Sequence, residues 1–274
     1  LLQSGHKKNK LGRKIRSNFL LEEYNMIDEK RIAIKCVTGS HATGLNDDKS
    51  DIDRKIVFYP TIDELFSGRH ANKQTIMPEE DTEYVDIRSF MKSLQDTTIN
   101  GLEILFGADI NVVDENISPI LTNKNNIAKC NLPKLFLSTS GMAYSQYNSF
   151  TSLKRPNNAK SVLFFDRHSQ DTKSLMTIVR LCKTLELFVE SEFTDFQSSF
   201  CFNDDEIGKR YMLDVKNNVG NLTFEENVEF AKIYMARIDV LRGEYMKHSI
   251  DLDTNGFVSE VIHNATLINM IKNK

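Results

Sequence analysis

Alternating apolar runs confined to the first hundred residues, helical spacing from Arg88 onward, and 40% hydrophobic residues with 17 Phe predict an α+β fold with a sizeable core. The expected organisation is a basic N-terminal arm over 1–17, an α/β domain over 18–110 and a helical domain over 111–274. No internal repeat and no low-complexity linker interrupts the chain.

The elements follow in order. Residues 31–38 (RIAIKCVT) place Ile32, Ile34 and Cys36 on one side of a strand that stops at Gly39. A second strand fits 51–59 (DIDRKIVFY), closed by Pro60, and a third fits Glu83 to Ile87. Beyond Arg88 the apolar positions Phe90, Met91 and Leu94, then Leu135, Met142, Ala143, Tyr147 and Phe150, follow helical spacing. In 173–190, Leu175, Ile178, Val179, Cys182, Leu185 and Val189 form one apolar stripe, with Lys173, Thr177, Arg180 and Thr184 on the opposite face. Thr223 followed by Glu226 is a capping box that opens a long helix through Val228, Ala231, Met235 and Ile238. Loops are expected at Arg155-Pro156-Asn157-Asn158 and Val215-Lys216-Asn217-Asn218.

The formal net charge of -3 conceals an asymmetry. Lys7, Lys8, Lys10, Arg13, Lys14 and Arg16 occur with no acid before residue 18, so the rest of the chain carries 29 basic residues against 38 acidic ones. Such an arm suits contact with nucleic-acid phosphates, or forms the solvated face of a first helix that turns Leu11, Ile15 and Phe19 inward. The cysteines Cys36, Cys130, Cys182 and Cys201 lie far apart without a C-x-x-C pair, which fits reduced core thiols better than a zinc cluster or a disulfide framework. No apolar run approaches the ~18 residues of a spanning helix, and residues 1–20 lack the apolar centre of a signal peptide, so a cytoplasmic location is expected.

The segment GSHATGLNDDKSDID, residues 39–53, joins a tight turn to two carboxylates. On a strand, Asp51 and Asp53 project from the same face, where two like charges are costly unless a divalent cation with oxygen ligands lies between them. Gly39-Ser40 ends the preceding strand and can offer backbone N–H groups and a hydroxyl to a phosphate. Turn and carboxylates together describe a metal held by Asp51 and Asp53, bridged by a triphosphate to the Gly-Ser turn.

An apolar strand, Gly-Ser, about ten residues and then Asp-Ile-Asp on another apolar strand resembles the DNA polymerase β-like nucleotidyltransferase superfamily. Within it the similarity is to predicted nucleotidyltransferases with a GSRAYGL…SDxDxRGVF pattern, here Gly39-Ser40-His41-Ala42-Thr43-Gly44-Leu45 and Ser50-Asp51-Ile52-Asp53-Arg54-Lys55-Ile56-Val57-Phe58. Asp86-Ile87-Arg88-Ser89-Phe90, Gly101-Leu102-Glu103-Ile104-Leu105 and Lys173-Ser174-Leu175-Met176 with Arg180-Leu181 resemble later elements of such proteins. Thr43, Lys55, Ile56 and Thr177 depart from the pattern, replacing its tyrosine, arginine, glycine and histidine. The resemblance implies a polymerase-β-like α/β domain and transfer of a nucleoside monophosphate from an NTP to a hydroxyl, with release of pyrophosphate. It also implies two Mg²⁺ or Mn²⁺ ions and a third carboxylate on a later strand. Asp86 is the expected third ligand and Glu83 its competitor; a helix N-cap is the alternative role for Asp86. The catalytic and metal set is thus Asp51, Asp53 and Asp86, and the nucleotide set is Gly39, Ser40, Lys173 and Arg180, whose cations offset phosphate charge if their helix face looks into the cleft. The acceptor is an RNA or tRNA 3′ end approached through the arm, a protein side chain as in AMPylation, or a small molecule. A non-catalytic nucleotide- or partner-binding module is the alternative, favoured if Asp86 faces away from Asp51 and Asp53. A toxin-antitoxin type protein is a further one.

Two other patterns are weaker. Asp251-Leu252-Asp253-Thr254-Asn255-Gly256-Phe257-Val258-Ser259 copies the start of a calcium loop but has Ile262 where the bidentate acid belongs, so a turn between helices is expected. Arg242 and His248 match a loose ribonuclease spacing of HEPN type with no second catalytic element nearby, which reads as a surface pair.

Overall fold

The computed structural model describes residues 27–47, 50–68, 72–76, 80–152, 159–202 and 206–273. The basic arm and the expected loop at Arg155–Asn158 lie outside the described residues.

The chain is α+β, a mixed sheet followed by a helical region. The strands are β1 (Ile32–Thr38), β2 (Ile52–Phe58), β3 (Lys73–Ile76), β4 (Glu80–Asp86) and β5 (Ala108–Val112), in the order β3-β4-β2-β1-β5. β2 runs antiparallel to β1 and parallel to β4, while β3 and β5 are antiparallel edges. In β1, Ile32, Ala33, Ile34, Cys36, Val37 and Thr38 are all buried, as a near-continuous apolar run requires when both sheet faces are covered.

A short helix α1 (Gly39–Thr43) follows β1 directly and ends at Gly44, whose backbone is left-handed. Helix α2 (Ile87–Gln95) buries Ile87, Phe90 and Leu94, one apolar stripe at helical spacing, and α3 (Ile99–Leu105) is capped by the Thr98 hydroxyl, which accepts from the Gly101 N–H. The longer helices that follow are α4 (Leu132–Thr151), α5 (Ala159–His168), α6 (Thr172–Glu190), α7 (Glu206–Lys216), α8 (Phe224–Met246) and α9 (Leu252–Lys272). The stripe of α6 is buried from Leu175 to Phe188, with α4, α5, α7 and α8 packed around it. The Thr223–Glu226 capping box opens α8, with both reciprocal hydrogen bonds formed. The last helix, α9, returns to the sheet half. Gln95 Nε2 donates to Asn255 Oδ1 at 3.0 Å and to Ser259 Oγ at 2.7 Å, and Asn269 Nδ2 donates to the Lys30 carbonyl at 2.8 Å.

The calcium-like segment is helical. Asp251 caps α9 by accepting from the Asp253 and Thr254 N–H groups, so its carboxylate is occupied by the helix end. His248 packs edge-on against Phe193 at 5.0 Å past the end of α8, and Arg242 is exposed on that helix. Val215 and Lys216 close α7, and a turn begins at Asn217. No helix among the described residues is long and apolar enough to cross a membrane.

Two contacts hold the helical region over the end of β1. The Phe202 N–H donates to the Thr43 carbonyl at 2.9 Å, and Lys216 Nζ donates to Asp47 Oδ2 at 3.0 Å. The cleft between the two halves opens beside them.

Candidate functional site

Ladder register decides which carboxylates meet. Thr38, the last residue of β1, pairs with Asp53, and Asp53 pairs on its other side with Asp81 of β4. Asp51 precedes Asp53 by two residues and shares its face. Carboxylate oxygens of Asp51, Asp53 and Asp81 lie within 4.8 Å of one another, each residue half-buried. Oxygen-only donors at that spacing suit a hard divalent cation.

The chain arrives at this cluster through Gly39, with φ of 66°. A Cβ there would lie 2.2 Å from Asp53 Oδ2 and 3.0 Å from its Cγ. Glycine is therefore required twice, for the left-handed backbone and for the closeness of the Asp53 carboxylate. Ser40 follows at the first turn of α1.

Asp86 is not part of this cluster, which corrects the expected third ligand. It pairs with Phe58, five residues up the strand from Asp81, on the order of 16 Å at ~3.3 Å per residue, and faces the opposite side of the sheet. Its fully buried carboxylate caps α2, accepting from the Arg88 N–H and Nε at 2.9 Å each and from Arg88 Nη2 at 2.6 Å. The hydrogen bonds to Asp86, ahead of the burial that opposes them, hold the Arg88 guanidinium above its ordinary pKa. Glu83 shares the Asp81 face but lies 3.7 Å from Lys55 Nζ, and Glu103 lies on that same ammonium at 3.2 Å. Burial pulls the Lys55 pKa down, yet Glu103 and then Glu83 outweigh it, and the net shift is upward.

A cavity of about 310 Å³ opens on one side of the carboxylates, where Gly39, Ser40, Asp51 and Asp53 face Lys173 and Arg180 from α6. Arg180 Nη1 is buried and has no hydrogen-bond partner among the described residues. Burial lowers the Arg180 pKa, with Glu103 acting in the opposite direction. Such a group is costly until an anion reaches it. A second cavity of about 180 Å³ shares Gly39 and Asp53 with the first and is also lined by Asp81, Lys55, Glu83 and Glu103.

No family model and no curated protein matches the sequence. Among solved structures, the chain is similar to a nucleotidyltransferase-like protein from Exiguobacterium sibiricum 255-15. The TM-score is 0.32 at 12% identity, over 84% of this chain and 77% of that one. The chemistry assigned to the site therefore rests on its own residues.

Sequence reasoning missed Asp81, Lys216, Arg167 and Phe164. Asp81 carried a readable signal: it stands two residues before Glu83, on the same face of any strand that starts early enough to include both. Lys216 and Phe164 gave none, because only the docking of α5 and α7 brings them to the cavity.

Proposed function

We propose that the chain is a metal-dependent nucleotidyltransferase of the polymerase-β-like kind, which moves a nucleoside monophosphate from an NTP to a hydroxyl acceptor. The single observation that carries this reading is one cavity with Asp51 and Asp53 of the carboxylate cluster on one wall and, on the other, the buried Arg180 guanidinium, whose Nη1 has no hydrogen-bond partner among the described residues. A metal–triphosphate complex has this polarity.

Asp51, Asp53 and Asp81 would hold the ions. Two Mg²⁺ or Mn²⁺ ions, when bound there, lower the pKa of the attacking hydroxyl and offset charge on the α-phosphate. Gly39 and Ser40 offer an N–H and a hydroxyl to the triphosphate, and Lys173 and Arg180 balance its charge. The acceptor oxygen bonds to the α-phosphorus, the bond to the β-phosphate oxygen breaks, and pyrophosphate leaves with that oxygen. The hydroxyl proton passes to solvent.

The smaller cavity, on the Asp81 side of Asp53, is the entry for the acceptor. Glu83 and Glu103 line it but both pair with Lys55, and Arg54 lines it as well, so the charge of this cavity does not select among acceptor classes. The RNA reading rests on the basic arm alone. A non-catalytic module was the reading favoured if Asp86 faced away from Asp51 and Asp53; Asp86 does face away, and the support for the catalytic reading is instead Asp81, whose carboxylate lies within 4.8 Å of theirs.

Incubation with each α-labelled NTP and Mg²⁺ in extract, followed by separation of RNA, protein and small molecules, tests this. Label entering one fraction, and lost with Asp53→Asn, supports the reading. No transfer with any NTP overturns it.

A further inference from the structure

Helix α8 buries one side, with Ala231, Tyr234, Met235 and Ile238, where it packs on α6 and α4. Its opposite face carries Ile233, Ala236, Val240 and Gly243 at helical spacing. Ile233 is 58% exposed and Val240 80%. Leu137 and Tyr144 of α4 are exposed as well, and Tyr144 Oη donates to Asp239 Oδ1 at 2.7 Å, which brings that helix alongside the stripe. Exposed apolar residues scattered singly need no explanation, whereas a row of them along one helix and its neighbour marks an interaction surface. Gly243 adds to this. A Cβ there would meet nothing within 4 Å among the described residues, so no such contact inside the chain requires glycine, and glycine weakens a helix relative to alanine. What it leaves is room for a side chain from outside.

The charges at the two ends of the stripe identify what covers it. Near the start of α8, Lys232 Nζ lies 2.6 Å from Glu229 Oε1, and at its end Lys247 pairs with Glu244. Glu229 and Lys247 are equidistant in sequence from Ile238, and so are Lys232 and Glu244. The apolar positions obey the same symmetry, with Ile233 mirroring Gly243 and Ala236 mirroring Val240. A two-fold axis at the level of Ile238 that lays a second α8 antiparallel on the first therefore sets each acid of these pairs level with a base. It also sets each larger apolar side chain against a smaller one. A parallel pairing in register would set like charges together. Such self-complementarity is what an isologous two-fold interface requires, because one patch must fit itself.

We infer that the outer face of α8 is the interface of a homodimer, on which a second copy of this chain docks with its own α8 antiparallel. Ile233 then enters the space over the partner's Gly243, and Val240 packs on the partner's Ala236. The inference goes beyond the metal–triphosphate reading and does not depend on it, since no α8 residue lines the larger cavity. One helix and the edge of a second make a small interface, so the dimer forms reversibly, with a Kd in the micromolar range.

Sedimentation velocity of the full chain over a concentration series tests this without nucleotide or metal. Wild-type protein passes from monomer to dimer as its concentration rises. Val240→Glu, at an exposed position outside the core, brings a charge into the apolar contact and weakens the dimer at least about tenfold. Reversing one end, Glu229→Lys/Lys232→Glu, keeps net charge and the pair within the helix but sets like charges together on both sides of the axis, and weakens the dimer about tenfold. Reversing the other end, Glu244→Lys/Lys247→Glu, does the same. All four substitutions together restore the wild-type Kd to within about twofold, because the reversed ends again meet as opposites. A chain that stays monomeric at every concentration, or a dimer indifferent to Val240→Glu, overturns the interface. A dimer that either end reversal weakens and the fourfold variant does not restore overturns the antiparallel arrangement.

Discussion

Replacing Gly39 with alanine asks one atom to enter space occupied by the Asp53 carboxylate. The new Cβ would lie 2.2 Å from Oδ2, and the backbone would have to keep a φ of 66°. Left-handed backbone costs a non-glycine residue about 1–2 kcal/mol. Moving Asp53 away from its rotamer adds about 0.5–1.5 kcal/mol. The sum, about 1.5–3.5 kcal/mol, corresponds to a Tm lowered by roughly 3–14 °C for a chain of this size class. Gly68 is the matched control: its φ is 65°, and a Cβ there would meet nothing within 4 Å among the described residues. Gly68→Ala should therefore show the backbone strain alone, about 1–2 kcal/mol. The assay is thermal unfolding of both variants with and without Mn²⁺. Because a ligand that binds only the folded state raises Tm, wild type and Gly68→Ala should gain stability with Mn²⁺, and Gly39→Ala should not. Equal destabilisation by the two substitutions, with Mn²⁺ stabilisation retained in both, would refute the link between the turn and the carboxylate.

Other perturbations divide the remaining residues by role. Asp81→Asn should weaken Mn²⁺ binding more than tenfold by calorimetry, whereas Glu83→Gln should leave it within twofold. Asp86→Asn should lower unfolding free energy by about 3 kcal/mol, the low end for breaking a buried ion pair because asparagine still caps α2, and should leave Mn²⁺ affinity unchanged. Arg180→Met should leave Tm equal or higher, since a buried charge with an unpartnered Nη1 is removed, while tripolyphosphate affinity falls at least tenfold.

The Gly-Ser turn and the Asp51/Asp53 pair were legible because strand periodicity alone puts two acids on one face and a β-branched run ends where the glycine begins. The α6 face carrying Lys173, Thr177 and Arg180 was legible for the same reason at helical period, and all three line the cavity. The third carboxylate was misplaced through an error in one strand boundary. β4 starts at Glu80 rather than Glu83, and Asp81 then meets Asp53 across a parallel ladder. Which residue lies opposite which is a property of register between strands far apart in sequence, and no local pattern states it. Asp86 has a strong local alternative, the cap of α2, and Arg88 two residues later completes it. β5 escaped notice because its five residues alternate between exposed and half-buried positions with little apolar signal. The return of α9 to the sheet half depends on Gln95, Asn255 and Ser259, polar residues whose pairing no sequence window reveals.

Linkage between metal and nucleotide binding tests the site as a unit. Mn²⁺ titration followed by electron paramagnetic resonance, with and without a non-hydrolysable NTP, measures both the number of ions and their affinity. Two ions per chain in the presence of the nucleotide, bound at least tenfold more tightly than without it, and loss of both ions in Asp51→Asn/Asp53→Asn, is the expected result. Mn²⁺ binding that is indifferent to nucleotide, or unchanged in the double variant, would contradict the assignment of these carboxylates to a metal–triphosphate site.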